Sequence, residues 1–231
     1  MSTKIKSPNE KGHGFLWALL AVLGVAVLVI GYIVISGNQE EPVEIEPVAF
    51  TVNHEDGYIA LASDSAGSDT PTVDLYEDYS CPHCAELAEA TDGDMKQAIT
   101  DGELIVNIHP LSFVSAGDGK HSTLAGTAAL TVAESGDAEV YWNFRTLLMD
   151  EQAKIFGKWD YNNFADAALK VGANEETVAK IRSGAEQERF DEIAAENAEK
   201  LKAQTGRVSS PRIIRDGEDV PLENWVATVT G

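Results

Sequence analysis

The sequence predicts an α/β fold with a block of helices set into it and one membrane-spanning helix ahead of it. Three observations predict this. A run of 21 uncharged residues, Phe15–Ile35, follows a basic tail. A β-type run passes directly into a helical pattern at Cys81-Pro82-His83-Cys84, and a second strand comes after it. Residues 120–205 then read as helix after helix before a β-hairpin and a last helix complete the pattern.

The uncharged run, FLWALLAVLGVAVLVIGYIVI, is long enough to cross a bilayer core. Lys4, Lys6 and Lys11 precede it; Glu40, Glu41, Glu44 and Glu46 follow. Basic residues stay on the cytoplasmic side, so 1–14 reads as a cytoplasmic tail, 15–36 as the anchor and the remainder as extracytoplasmic. Trp17 and Tyr32 stand near its ends, where amphipathic rings favour the interface. The competing reading is a cleaved signal peptide, with Val34-Ile35-Ser36 as its processing site, but the run exceeds the apolar core of a usual signal. No cysteine lies near the segment's end, which excludes a thioether-linked lipid. Residues 37–48, GNQEEPVEIEPV, carry four acids and two prolines and read as an extended acidic linker.

Within 49–231, Ala49–Val52 and Tyr58–Leu61 are short β-type runs around a turn at Glu55-Asp56-Gly57. Ser63–Pro71 is small and polar, a loop. Thr72–Tyr79 alternates and is rich in β-formers, a strand. From Cys84 the residues Leu87, Ala88, Thr91, Met95, Ala98 and Ile99 share one helical face, with Gly93 a place for a kink and Asp101-Gly102 the end. Glu103–Ile108 is the next strand. Helices are predicted over 120–135, 138–152, 161–171, 174–183 and 188–204, punctuated by Gly136, Gly157, Gly172 and Gly184. Tyr141, Phe144 and Leu148 form a core stripe at helical spacing. Arg212–Ile214 is a strand, Asp216-Gly217 a hairpin turn, and Leu222–Val229 a helix opened by Pro221.

The formal net charge is −21, which repels phosphates and excludes nucleic acid as a partner. The only two cysteines stand three positions apart, so cysteine does no scaffolding here. A C-x-x-C pair either binds metal or cycles between dithiol and disulfide, and context decides. A metal needs two further ligands; His109 and His121 are too far apart in sequence for the usual spacing. The pair instead opens a helix. There, unpaired N–H groups and the helix dipole favour negative charge, so Cys81 should ionise easily. Pro82 suits the first helical turn, where no N–H is needed. A protonated or donating His83 would stabilise the neighbouring thiolate. Cys81, at the turn, is expected to be exposed and to form the mixed disulfide; Cys84, one turn in, to be more buried and to resolve it. His109, at a strand end, reads as structural, while His13, His54 and His121 carry no functional signal.

TVDLYEDYSCPHC, followed by a helix, a strand and a long helical insertion at about 119–205, resembles the thioredoxin-fold oxidoreductases of the DsbA kind. Among them it is similar to the membrane-anchored DsbA-like proteins of Gram-positive bacteria, over about residues 49–231. The resemblance implies a thioredoxin core, an inserted all-helical domain over the active site, and oxidation of unfolded exported proteins that carry free cysteines. It also implies reoxidation by a quinone-linked membrane oxidase. No organic cofactor and no metal is expected beyond the redox-active Cys81–Cys84 disulfide. A second landmark of the family is a cis-proline facing the cysteines. Gly206-Arg207-Val208-Ser209-Ser210-Pro211 keeps its spacing, so Pro211, with Ser210 before it, is expected to present backbone to a substrate strand. The family more often has threonine or valine where Ser210 stands. A third landmark, a buried acid six positions before the first cysteine, is replaced by Leu75. Asp74 points to the other sheet face. Glu77 shares the face of Leu75 and either substitutes or is exposed or loop-capping. Two rival functions stay open: a reductase or isomerase on the same fold, and a chaperone-like binding module whose thiols are incidental.

Overall fold

The structure, a computed structural model, describes residues 14–37, 44–117 and 119–231. The tail reading of residues 1–13, His13 included, and linker residues 38–43 lie outside the described residues. Two compact units are distinguished, residues 1–43 and 44–231.

In the first unit, helix α1 spans Gly14–Gly37, 24 residues without a charge. Its described side chains run only from Trp17 to Val29, with Gly31 beyond. Among the described residues no helix is long and apolar enough to cross a membrane.

In the second unit, β1 (Thr51–Glu55) and β2 (Tyr58–Ala62) form a hairpin about Asp56-Gly57. β1 lies later than the sequence suggests because Glu55 pairs with Tyr58 and belongs to the strand rather than the turn. Gly57 takes φ 90, which the tight turn needs. β3 (Thr72–Glu77) and β4 (Ile105–Pro110) run parallel, a pairing that requires a crossover, here α2 (Pro82–Thr100). The parallel register reaches Glu77 and Pro110, so β4 starts and ends two residues later than its apolar pattern indicates. α2 passes through Gly93 without a break. β5 (Arg212–Arg215) and β6 (Glu218–Val220) complete a six-stranded sheet of order β1-β2-β4-β3-β5-β6. β3 is therefore central, and Val73, Leu75, Tyr76 and Glu77 are all buried. The last helix, α9 (Trp225–Thr230), begins three residues later than predicted, since Asn224 takes φ 52 and cannot continue a right-handed turn. Trp225 Nε1 donates to Thr91 Oγ1 at 3.0 Å, seating α9 on α2.

Between β4 and β5 lie α3 (His121–Ala133), α4 (Ala138–Asp150), α5 (Gln152–Ile155), α6 (Tyr161–Lys170), α7 (Glu175–Ser183) and α8 (Gln187–Thr205). The single helix predicted over 138–152 is thus two, with a break at Glu151. Side-chain caps mark three starts: Asp137 accepts from Val140 N, Asp160 forms a capping box with Asn163, and Asn174 accepts from Thr177 N. Every residue of α3 is buried, as an all-round apolar and small helix must be, and α4, α6, α7 and α8 pack about it. The linker's end is held too: Glu46 N donates to Asn143 Oδ1 and Asn143 Nδ2 to Glu46 O, both at 2.8 Å, while Lys96 pairs with Glu46 at 2.7 Å.

α3 and α8 approach closely because Gly126 has no side chain. A Cβ there would fall 2.1 Å from the ring of Phe190, which is fully buried beside Leu130 and Ala194. Gly126→Ala should therefore destabilise by about 1–3 kcal/mol. Thermal unfolding should record about 2–4 °C of lost melting temperature per kcal/mol, and Phe190→Leu added to it should recover part. An unchanged melting temperature would mean that the Phe190 ring has room to move aside.

Candidate functional site

β3 ends at Glu77 and the chain reverses into α2 over four residues. Cys81 N donates to Asp78 O at 2.8 Å. Cys81 is the N-cap of α2, with φ −87 and ψ 113, and Pro82 occupies the first helical position. The Cys81 carbonyl accepts from Cys84 N at 2.9 Å and Ala85 N at 3.3 Å. The same carbonyl and that of Tyr79 accept from Gln152 Nε2, at 3.0 and 2.9 Å. The first residue of α5 thus clamps the reactive turn. The Ser210–Pro211 peptide bond is cis, and Ser210 O accepts from Cys81 Sγ at 3.3 Å. Cys81 is only 5% exposed, against the exposed position expected from its place at a turn; the segment before Pro211 covers it. Cys84 is 3% exposed, and both thiols are free. An open groove of about 730 Å³ runs alongside, lined by His83, Leu87, Ser210, Pro211, Val220 and Leu222 among others.

The two thiols are electrostatically unlike. The Cys81 thiol is lowered from 9.0 to about 5, chiefly by a hydrogen bond from Cys84. Burial opposes this, and Ser210 and the backbone N–H groups of Cys84 and His83 add to it. Ser210 serves both forms. Its carbonyl accepts from the thiol, and its buried hydroxyl, without another partner, is a donor once the sulfur ionises. Cys84 is raised well above its ordinary value, first by burial and then by its neighbour Cys81. His83 contributes through its backbone N–H and, more weakly, through the attraction between its imidazole and Cys81. Its ring is exposed and its Nδ1 lies 2.9 Å from Glu86 Oε2, the contact that raises its pKa.

Behind Cys84 lies a buried charge cluster. Glu77 is 2% exposed, neither surface nor loop cap, and both its oxygens accept from Arg145, Oε1 from Nε at 2.9 Å and Oε2 from Nη2 at 2.7 Å. Arg145 Nη1 donates to Asp92 Oδ2 at 2.6 Å. Burial raises Asp92 to about 6 in spite of the guanidinium. A small enclosed cavity of about 10 Å³, the scale of one water, is lined by Cys84, Glu77, Asp92, Arg145, Leu75 and Pro211 among others. Asp74 faces the opposite way and meets His109 Nε2 at 3.0 Å. His109 Nδ1 lies 3.1 Å from Asn197 Oδ1, and its ring stacks on Tyr76. Among the described residues no group of three His, Cys, Asp or Glu gathers as a metal site would require.

Sequence reasoning missed Arg145, Asp92, Asp78 and Gln152. Arg145 alone gave a signal: it falls on the stripe of Tyr141, Phe144 and Leu148, and a guanidinium on an apolar face demands buried acids.

Comparison with known proteins agrees with this geometry. The family described as Thioredoxin matches residues 67–229. The structure of MdbA, a thiol-disulfide oxidoreductase from Corynebacterium diphtheriae, superposes with a TM-score of 0.80 at 47% identity, over 84% of this chain and 100% of that one. MdbA from Corynebacterium matruchotii gives 0.78 and 44%, over 80% and 94%. Oxidised DsbA of Mycobacterium tuberculosis shares the fold, with a TM-score of 0.60 at 18% identity over 75% and 93%. In sequence, 121 residues are 29% identical to the serine/threonine-protein kinase PknE of Mycobacterium tuberculosis, 50% of this chain but 21% of PknE. The fold, the paired cysteines opening α2 and these likenesses together place the chain in the thioredoxin family, as a thiol–disulfide oxidoreductase.

Proposed function

We propose that the chain is an extracytoplasmic oxidase, anchored by residues 15–36, that donates its Cys81–Cys84 disulfide to exported proteins carrying free cysteines. The observation that carries this reading is the asymmetry of the pair: a Cys81 thiol lowered to about 5 beside a Cys84 thiol held neutral. A stabilised thiolate favours the dithiol form, which makes the disulfide a strong acceptor of electrons.

In the forward reaction a substrate thiolate attacks Cys81 Sγ. The Cys81–Cys84 bond breaks and its electron pair leaves on Cys84, which takes up a proton. The cavity joining Cys84 to Asp92 and Glu77 gives that proton a source, with Asp92 poised near neutrality. A second substrate thiolate then attacks the substrate sulfur of the mixed disulfide and releases Cys81 as a thiolate. The substrate loses two electrons and two protons; Cys84 keeps one proton and solvent takes the other. The groove beside Pro211 and the cis Ser210–Pro211 segment offer backbone to a substrate strand, and Pro82 and His83 shape the helix start that stabilises Cys81. A quinone-linked membrane oxidase is the reoxidant this reading requires. A reductase or isomerase would carry the same site at a lower potential.

Equilibration of the full-length chain with glutathione discriminates these. The oxidase reading expects a potential more oxidising than about −180 mV; a value near −270 mV would make the chain a reductant. Offered a disulfide-bearing peptide, Cys84→Ser should accumulate a long-lived mixed disulfide through Cys81, while Cys81→Ser should form none. Equal trapping by both variants would undo the assignment of roles.

The same asymmetry predicts stability. Cys81 is an acid whose folded value lies below its unfolded value of 9.0. Its stabilisation of the reduced fold is complete above pH 9, declines as pH falls, and vanishes below about pH 5. Cys84, raised, stays protonated in both states at pH 7 and subtracts nothing there. The oxidised form gains only the small chain-entropy effect of a four-residue loop. The reduced chain should therefore melt higher than the oxidised chain at pH 7, with the gap closing on acidification towards pH 5. A higher-melting oxidised form at pH 7 would contradict an activated Cys81.

A further inference from the structure

Asp78 lies three residues before Cys81 and is completely buried. Its carboxylate is held by neutral donors: Oδ1 accepts from Ser80 N at 2.8 Å and Ser122 Oγ at 2.7 Å, and Oδ2 from Val114 N at 3.0 Å. Those donors come from the reactive turn, from the start of α3 and from the loop after β4. By contrast, the buried Glu77 and Asp92 share a guanidinium. The elements packed on Asp78 offer few charges. The turn brings Cys81, α2 brings Cys84 against the Asp78 backbone, the loop brings a backbone N–H, and the start of α3 brings a hydroxyl. Next to that hydroxyl, His121 is buried, its nitrogens unpartnered and its ring against Phe156 and Phe164. Burial raises the Asp78 carboxyl most, the three hydrogen bonds oppose it, and the nearby Cys81 raises it further. Two prospective anions therefore occupy one buried turn, with α2 stabilising the second and, among the described residues, no cation among the hydrogen-bond partners of the first.

We infer that the Asp78 carboxylate limits how oxidising the Cys81–Cys84 pair is: its buried negative charge opposes the Cys81 thiolate and holds the potential below what the helix start alone would give. Asp78 is a positioning residue in its hydrogen bonds and an electrostatic brake in its charge. Reduction by glutathione converts the disulfide and two glutathione thiols into the Cys81–Cys84 dithiol and glutathione disulfide. The brake acts on the product side, where Cys81 is ionised. It is coupled in both directions: a thiolate at Cys81 must hold the Asp78 proton more tightly, and a disulfide must release that hold.

Asp78→Asn removes the charge and keeps one oxygen for Ser80 N and Ser122 Oγ. In the reduced full-length chain, the pH midpoint of Cys81 alkylation should fall by about one unit, since a unit is tenfold in the thiolate equilibrium. The equilibrium constant with glutathione should shift about tenfold towards the dithiol, about 30 mV for a two-electron couple. A role confined to holding the turn gives the opposite sign: a loosened turn lets the Cys81 midpoint rise towards that of a free cysteine. An unchanged or raised midpoint in a folded Asp78→Asn chain overturns the inference. The wild-type chain supplies a test that needs no variant. The Asp78 carboxyl resonance, followed by carbon NMR, should titrate at higher pH in the reduced than in the oxidised protein, and equal midpoints would overturn the coupling. The inference rests on the disulfide-exchange activity but not on its direction. Both measurements are differences, so a low absolute potential would remove the oxidase reading and leave the shift on Asp78→Asn to be judged separately.

Discussion

One guanidinium holds the helical insertion to the sheet. Arg145 stands on α4, 2% exposed, and its three donor nitrogens are divided between Glu77 at the end of β3 and Asp92 in the middle of α2. A buried ion pair of this kind contributes little net stability compared with apolar packing, yet removing one partner is costly because the others are left charged and dry. Its worth is therefore positional. β3, α2 and α4 meet at a single point directly behind Cys84, and each is held by a bond of defined direction. The cluster carries two carboxylates against one cation, and burial, with a smaller push from Glu77, leaves Asp92 near 6 rather than fully committed to its charge.

The chemistry in front of that cluster follows from one helical turn. Cys81 sits at the N-cap, where Cys84 and the backbone N–H groups of Cys84 and His83 donate to it, and Cys84 sits inside the helix, where burial and the neighbouring Cys81 outweigh the hydrogen bonds it receives. Identical side chains three positions apart thus become a leaving thiolate and a protonated thiol. Pro82 contributes by what it lacks, since an N–H at the first helical position would have no partner. Ser210 completes the arrangement from the segment ahead of β5, the strand beside β3, with a carbonyl and a hydroxyl on one residue.

Much of this was legible in the sequence. The period-2 pattern of Thr72–Tyr79 meeting helical spacing at Cys84 located the turn, since that switch of period needs no tertiary information. The break between α4 and α5 was not legible, because Glu151-Gln152 is compatible with helix and the break serves to aim Gln152 at the turn. The start of α9 is not legible either: Pro221 is a good first helical residue, but Asn224 adopts a left-handed conformation that delays the helix to Trp225. The burial of Cys81 is not legible locally, because it is set by chain 129 positions away, at Ser210. The pairing of Glu77 with Arg145 spans 68 positions, and no local periodicity reports such a meeting.

The Gln152 amide has a consequence of its own. One nitrogen donates to two carbonyls, Tyr79 O and Cys81 O, and so bridges the insertion to the backbone of the reactive cysteine. A glutamate in its place would bring oxygens to face oxygens, with no hydrogen to share. An asparagine would stop one methylene short. The side chain thus works as a gauge: its length sets the spacing between the helical insertion and the catalytic turn, and its amide hydrogens make that spacing a bonded one.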